Sequence, residues 1–234
     1  MGRVALLAGG VALAAIAAGS ARWPIAPERF AAGLNSGFGP SRAWSWKAPE
    51  AATFSALPWP AFRLVEARLE DASAANRVSA AEARVDLSLT DLVFGRLAPR
   101  QVTLDQPTIT LDLDRPPFDS GFGELDVFRV LPPLPRVSLT NGVIRVVSRK
   151  RGFDTMLASV QGRLEGLFIG ARMSVDLSAV WRNVPLTLSG SLEEPQRAAV
   201  GGQSPLALGI ASPLGDLKFD GALTAGATPT AAGD

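Results

Sequence analysis

The chain has 234 residues, 47% of them hydrophobic, and its 23 Lys and Arg against 22 Asp and Glu leave a net charge of +1. So even a balance argues against a nucleic-acid binder. The absence of cysteine and histidine removes disulfides, thiol chemistry, histidine-based hydrolytic triads and the commonest transition-metal ligand. The length suffices to bury a core in one elongated domain or two small ones, and no cofactor or metal is implied.

Val4 to Ala21 is a run of 18 residues without a charge, with Arg3 before it and Arg22 and Trp23 after it. As a helix it spans about 27 Å at about 1.5 Å per residue, close to the hydrocarbon thickness of a bilayer. Either it crosses a membrane or it is a signal peptide cleaved at the small residues Ala15-Ile16-Ala17 or Gly19-Ser20-Ala21. With Arg3 on the cytoplasmic side, the rest of the chain faces the far compartment, and Arg3 and Trp23 mark the two interfaces.

Pro27, Glu28, Phe30 and Leu34 then suit a short membrane-proximal helix that ends at Asn35 to Gly37. Of Trp44, Trp46 and Trp59, each is expected to be buried at the end of a sheet. Residues 52–70 read as two strands broken by Pro58-Trp59-Pro60, because neither proline can donate to a ladder.

The central block has two alternating strands, one with Val85, Leu87 and Leu89 on a face, the other with Ile109, Leu111 and Leu113 after Pro107. Between them a helical turn is expected to start at Thr90, which would cap it, with Asp91 in its first turn and Gly95 as its stop. Residues 115–135 hold five prolines and read as the longest irregular connection, with one helical turn near Glu124 to Arg129.

Strands resume at Arg136, with Asn141-Gly142 as a turn or bulge and Arg149-Lys150-Arg151 at a solvated hairpin tip. Further strands are expected at about 156–168, 172–181, 185–192, 205–211 and 215–223. The clearest alternation sets Met173, Val175, Leu177, Ala179 and Trp181 against Arg172, Ser174, Asp176 and Ser178. The small and polar residues 225–234 read as a disordered end.

Asp105, Asp112 and Asp114 are the only carboxylates that line up conspicuously. Asp112 and Asp114, about 7 Å apart on a strand, have a spacing that any wet strand face produces. No nucleophile elbow, phosphate loop or dinucleotide fingerprint is present, so no catalytic residue is assigned.

The pattern Leu87, Leu89, Leu92, Gly95, Leu97, Val102, Leu104, Pro107, Ile109 and Leu111 resembles the start of the AsmA family, in the AsmA/TamB group of inner-membrane-anchored periplasmic proteins. The Pro-rich break before the strand at 61–70, Asn141-Gly142, Trp181-Arg182 and the Pro-led strand 185–190 extend the resemblance over most of residues 50–195.

It implies a mainly β fold: an N-terminal transmembrane helix retained as an anchor and a short membrane-proximal helix, followed by a curved, open, largely antiparallel β-sheet. The corresponding segments are 1–24, 25–50, 51–224 and the tail 225–234. It further implies an inner-membrane location with the bulk of the chain in the periplasm, and a role in phospholipid transport for outer-membrane assembly. Val85, Leu87, Leu89, Ile109, Leu111, Leu113, Val175 and Leu177 would line the groove for acyl chains. A membrane-tethered scaffold with a closed core, holding an envelope protein partner, is the alternative.

Overall fold

The computed structural model describes residues 21–37, 44–71, 73–94, 98–115, 134–167, 172–195, 197, 202–224 and 230–233. The anchor segment, apart from Ala21, and the helical turn expected near Glu124 to Arg129 lie outside the described residues. Among the described residues no helix is long and apolar enough to cross a membrane.

The chain builds one 14-stranded sheet. In order its elements are β1 (Trp23–Ile25), α1 (Pro27–Gly37), β2 (Trp44–Lys47), β3 (Ala51–Ser55), β4 (Ala61–Asp71), β5 (Arg77–Leu87), α2 (Leu89–Val93), β6 (Pro99–Asp105) and β7 (Thr108–Asp112). There follow β8 (Leu134–Ser148), β9 (Phe153–Leu167), β10 (Arg172–Trp181), β11 (Val184–Glu193), β12 (Gln203–Ser212), β13 (Gly215–Thr224) and β14 (Thr230–Gly233). The lanes run β1-β3-β4-β5-β6-β8-β9-β10-β11-β12-β13-β14, with β2 also on β4 and β7 also between β5 and β8.

Pairing is antiparallel throughout except where β6 and β7 lie parallel to β8. The chain leaves β7 at one end of the sheet and re-enters at the other, as a parallel neighbour demands. The sheet is therefore largely antiparallel, and β1 and β14 do not pair to close it.

Two local expectations change. The cap sits two residues earlier than expected, because Ser88, not Thr90, is the N-cap: its hydroxyl accepts the Asp91 amide at 3.3 Å. Leu89 is thereby taken out of the strand and into α2. Residues 230–233, expected to be disordered, form β14 on the β13 edge.

A line of left-handed residues crosses the sheet. Glu66 in β4, Gln106 between β6 and β7, Asn141 in β8 and Ser159 in β9 all have positive φ, and the pairing registers place them side by side across neighbouring lanes. A left-handed residue in each of these strands reverses its in-out alternation, and the sheet creases along this line, while the registers from β4 to β8 run unbroken past it and shift there only between β8 and β9 and between β9 and β10. Asn141-Gly142 lies inside β8 at the β8–β9 register shift and is not a hairpin turn. At Gly142 an added Cβ would meet Pro107 Cγ at 2.8 Å, so the two creased strands approach through a glycine.

One core cluster gathers Val137, Leu139 and Val160 on β8 and β9, and another lies at the N-terminal end. Leu64, Ala52, Ala67 and Ala83 are buried there, with Ile25, Phe30, Trp46 and Leu104 packed around them. Helix α1 supplies Phe30, whose ring centre is 5.2 Å from that of Phe62. Asn35 holds the helix to β2: its side chain accepts the Trp46 amide at 2.8 Å and donates to the Trp46 carbonyl at 3.0 Å.

Candidate functional site

Strand alternation and register together fix what each face of the sheet carries. Reading partners lane by lane gives one apolar row: Ile25, Ala52, Leu64, Ala83, Leu104, Leu139, Gly162, Leu177, Leu188, Ile210 and Leu217. A second row, two residues along, runs Trp23, Phe54, Phe62, Val85, Val102, Val137, Leu164, Val175, Gly190, Leu208 and Phe219. No charge interrupts either row.

Between them, on the opposite face, lies a polar row that includes Thr53, Arg63, Arg84, Thr103, Ser138, Arg163, Asp176, Ser189 and Lys218. Ion pairs decorate this face: Arg63 with Glu82, Arg136 with Glu165 at 2.9 Å and Arg172 with Glu193 at 3.0 Å. These are solvent-facing and contribute little to stability. Their use is to keep one side of a single layer wet.

The apolar face is covered at one end only. Helix α1 lies over β2 and β3 and reaches β4 through Phe30 on Phe62, and the other main contacts between described elements join lane neighbours. Burial along the first row falls accordingly, from 1% exposure at Leu64 and 5% at Leu139 to 39% at Ile210 and 60% at Leu217. Val137, Leu139 and Val160 of β8 and β9 are still buried, packed with Leu164, Leu177 and Ala179, and the exposed stretch of the face lies on β12 and β13, at Leu208, Ile210 and Leu217.

Most of the candidate groove residues share this face. Val85, Leu87, Val175 and Leu177 lie on it before the crease, and Ile109 and Leu111 beyond it, opposite Ile144 and Val146 of β8. Leu89 does not: it is half exposed on α2, at the end of the sheet. Leu113 lies just past β7, where its amide donates to the Val147 carbonyl at 2.8 Å. The registers add Leu104, Leu139, Leu164, Leu188, Leu208 and Ile210, whose period-two spacing was legible but whose common face required knowing which strands pair. Trp23 stands 54% exposed where β1 begins, and Arg3 is outside the described residues.

Trp59 departs from its expected burial and is 55% exposed, with the Arg100 guanidinium 5.9 Å from its ring centre. The proline-bracketed turn holds it off the sheet.

The aligned carboxylates serve as fasteners at the far end of the sheet. Asp71 accepts the amide and side-chain NH2 of fully buried Asn76, whose own carbonyl accepts the Asp112 amide at 2.7 Å. Asp112 in turn accepts the Asp114 amide at 3.0 Å, and Asp114 accepts from the Ser148 hydroxyl and the Lys150 amide, both at 2.9 Å. Asp114 thus leaves the strand row that suggested a carboxylate pair, and the chain of bonds ties three loops together.

The Lys150 amide, with help from Ser148, holds the Asp114 carboxyl below its ordinary value of 3.8. A lowered folded-state pKa gives stability that is present above the unfolded value and is lost as pH falls through the folded one. In an NMR titration the Asp114 carboxyl should therefore have its midpoint below 3.8, and Ser148→Ala should move it back upward. An unchanged midpoint in that variant would show that the hydroxyl bond is idle.

No protein-family model matches the chain, and no curated protein matches it.

Proposed function

We propose that the protein is a membrane-anchored acyl-chain carrier of AsmA-like character, whose sheet shields the tails of phospholipids along its open apolar face. The observation that carries this reading is the pair of uninterrupted apolar rows that run from β1 to β13 while helix α1 covers only the first lanes and the members on β12 and β13 stay exposed. Apolar surface left in contact with water costs roughly 25 cal/mol per Å², so a contiguous exposed band of this kind is expected to take an apolar guest. Each methylene moved from water onto it would contribute about 0.8 kcal/mol. No reacting group is needed, and specificity for tails over headgroups follows from the absence of charge in the rows.

The charge-free run over Val4 to Ala21 and the AsmA-like spacing support a location at the inner membrane, with the sheet on the periplasmic side and phospholipid as the cargo. The face test is direct. With a benzophenone amino acid in place of Leu188, irradiation of intact cells should yield a phospholipid adduct on the protein. The same probe in place of Ser189, the adjacent residue on the polar face, should yield none. Equal labelling at both positions, or none at either, would end the carrier reading.

A further inference from the structure

One corner of the sheet carries exposed apolar side chains that the groove does not use. The turn at 56–60 and helix α2 lie side by side there, since the Leu87 amide donates to the Pro60 carbonyl at 2.8 Å just before α2 begins. Trp23 is at the same end, paired with Phe54, one residue before β3 stops. Together these segments present Trp23, Leu57, Trp59, Leu89, Val93 and Phe94, with Val93 and Phe94 at 76% and 75% exposure.

We propose that this corner is a lipid-contact surface that seats the sheet on the bilayer. Three observations name the occupant. First, the charge-free run of residues 4–21 ends two residues before Trp23, so on the anchor reading of that run the chain would leave the membrane at this corner. Second, the composition is that of an interfacial anchor: two tryptophans with Leu, Val and Phe, flanked by the exposed cations Arg22 and Arg100. Third, Asp91 is the one carboxylate in turn 56–60 and in residues 88–94, so phosphate headgroups meet little opposing charge.

The helix α2 is too short to be stable alone, and its exposed residues do no work in the core. Burial of Trp59, Val93 and Phe94 in the headgroup region explains why they are kept apolar. The strands would then start at the membrane on the first lanes, and the later lanes would be carried clear of it.

The inference rests on the anchor reading of residues 4–21 but not on cargo in the groove. Because the chain has no cysteine, single cysteines can be labelled cleanly. Full-length protein carrying an environment-sensitive NBD dye at Val93→Cys, Ile210→Cys or Leu214→Cys would be reconstituted into phosphatidylcholine–phosphatidylglycerol vesicles. Leu214, at the opposite end of the sheet and 79% exposed, is the water reference.

Emission at position 93 should be several-fold brighter and blue-shifted relative to position 214, and should be quenched by nitroxide-labelled lipid. Emission at 93 matching that at 214 overturns the proposal, whatever position 210 reports. A bright 210 with a dark 93 removes the corner and leaves the groove; the reverse supports the corner and removes the groove. Protein that fails to remain with the vesicles overturns both.

Discussion

Gly162→Val is expected to lower stability by about 3 kcal/mol or more, read as the shift of the thermal or urea midpoint of the full chain. Gly162 has φ +145, a backbone region that residues with a side chain rarely adopt, and it lies in β9 directly against β10. An added Cβ would run into the Asp176 carbonyl oxygen and come within 2.8 Å of Leu177 Cα. Both obstacles are backbone, so no side chain can swing aside. Gly152→Ala is the control: φ is +64 there but no atom lies within 4 Å, so only the conformational cost of about 1–2 kcal/mol remains. If the two variants melt alike, β9 and β10 do not approach as closely as this register requires.

The second large effect tests the uncovered face. Leu64 and Leu217 are members of one row at opposite ends of the sheet, 1% and 60% exposed. Leu64→Ala removes buried methyl groups from a cluster that holds Ala52, Ala67 and Ala83, and should cost about 2–5 kcal/mol. Leu217→Ala should change stability by no more than about 0.5 kcal/mol. Intermediate positions should follow exposure, with Leu139→Ala close to Leu64→Ala and Ile210→Ala close to Leu217→Ala. A large penalty at Leu217 in the purified protein would mean that something covers β13, and the open-face account would fail with it.

Much of this architecture can be read from the residues. The alternation of Met173, Val175, Leu177, Ala179 and Trp181 locates β10 and its two faces, and Pro58 to Pro60 locates the break between β3 and β4. Leu89 falls outside the strand although alternation continues through it, because Ser88, a better-placed cap, ends the strand at Leu87. The left-handed residues Glu66 and Ser159 have no Gly or Pro to announce them, unlike Gln106-Pro107 and Asn141-Gly142. Trp59 was misjudged because burial depends on which strands cover the turn, and that is long-range information. The row from Ile25 to Leu217 could not be assembled from composition at all, since it is a property of pairing and register.

The crease through Glu66, Gln106, Asn141 and Ser159 has a bearing on how such a broad ribbon finds a single alignment. A long sheet of alternating oily and wet residues looks much the same after every two-residue slide, so hydrophobicity alone specifies its lateral alignment weakly. These left-handed residues act like the cuts on a key. A strand that slid by two positions would carry its cut out of step with those on either side, and would leave peptide groups unmatched on both flanks. Correct threading is thereby checked locally, lane against lane, as the chain assembles.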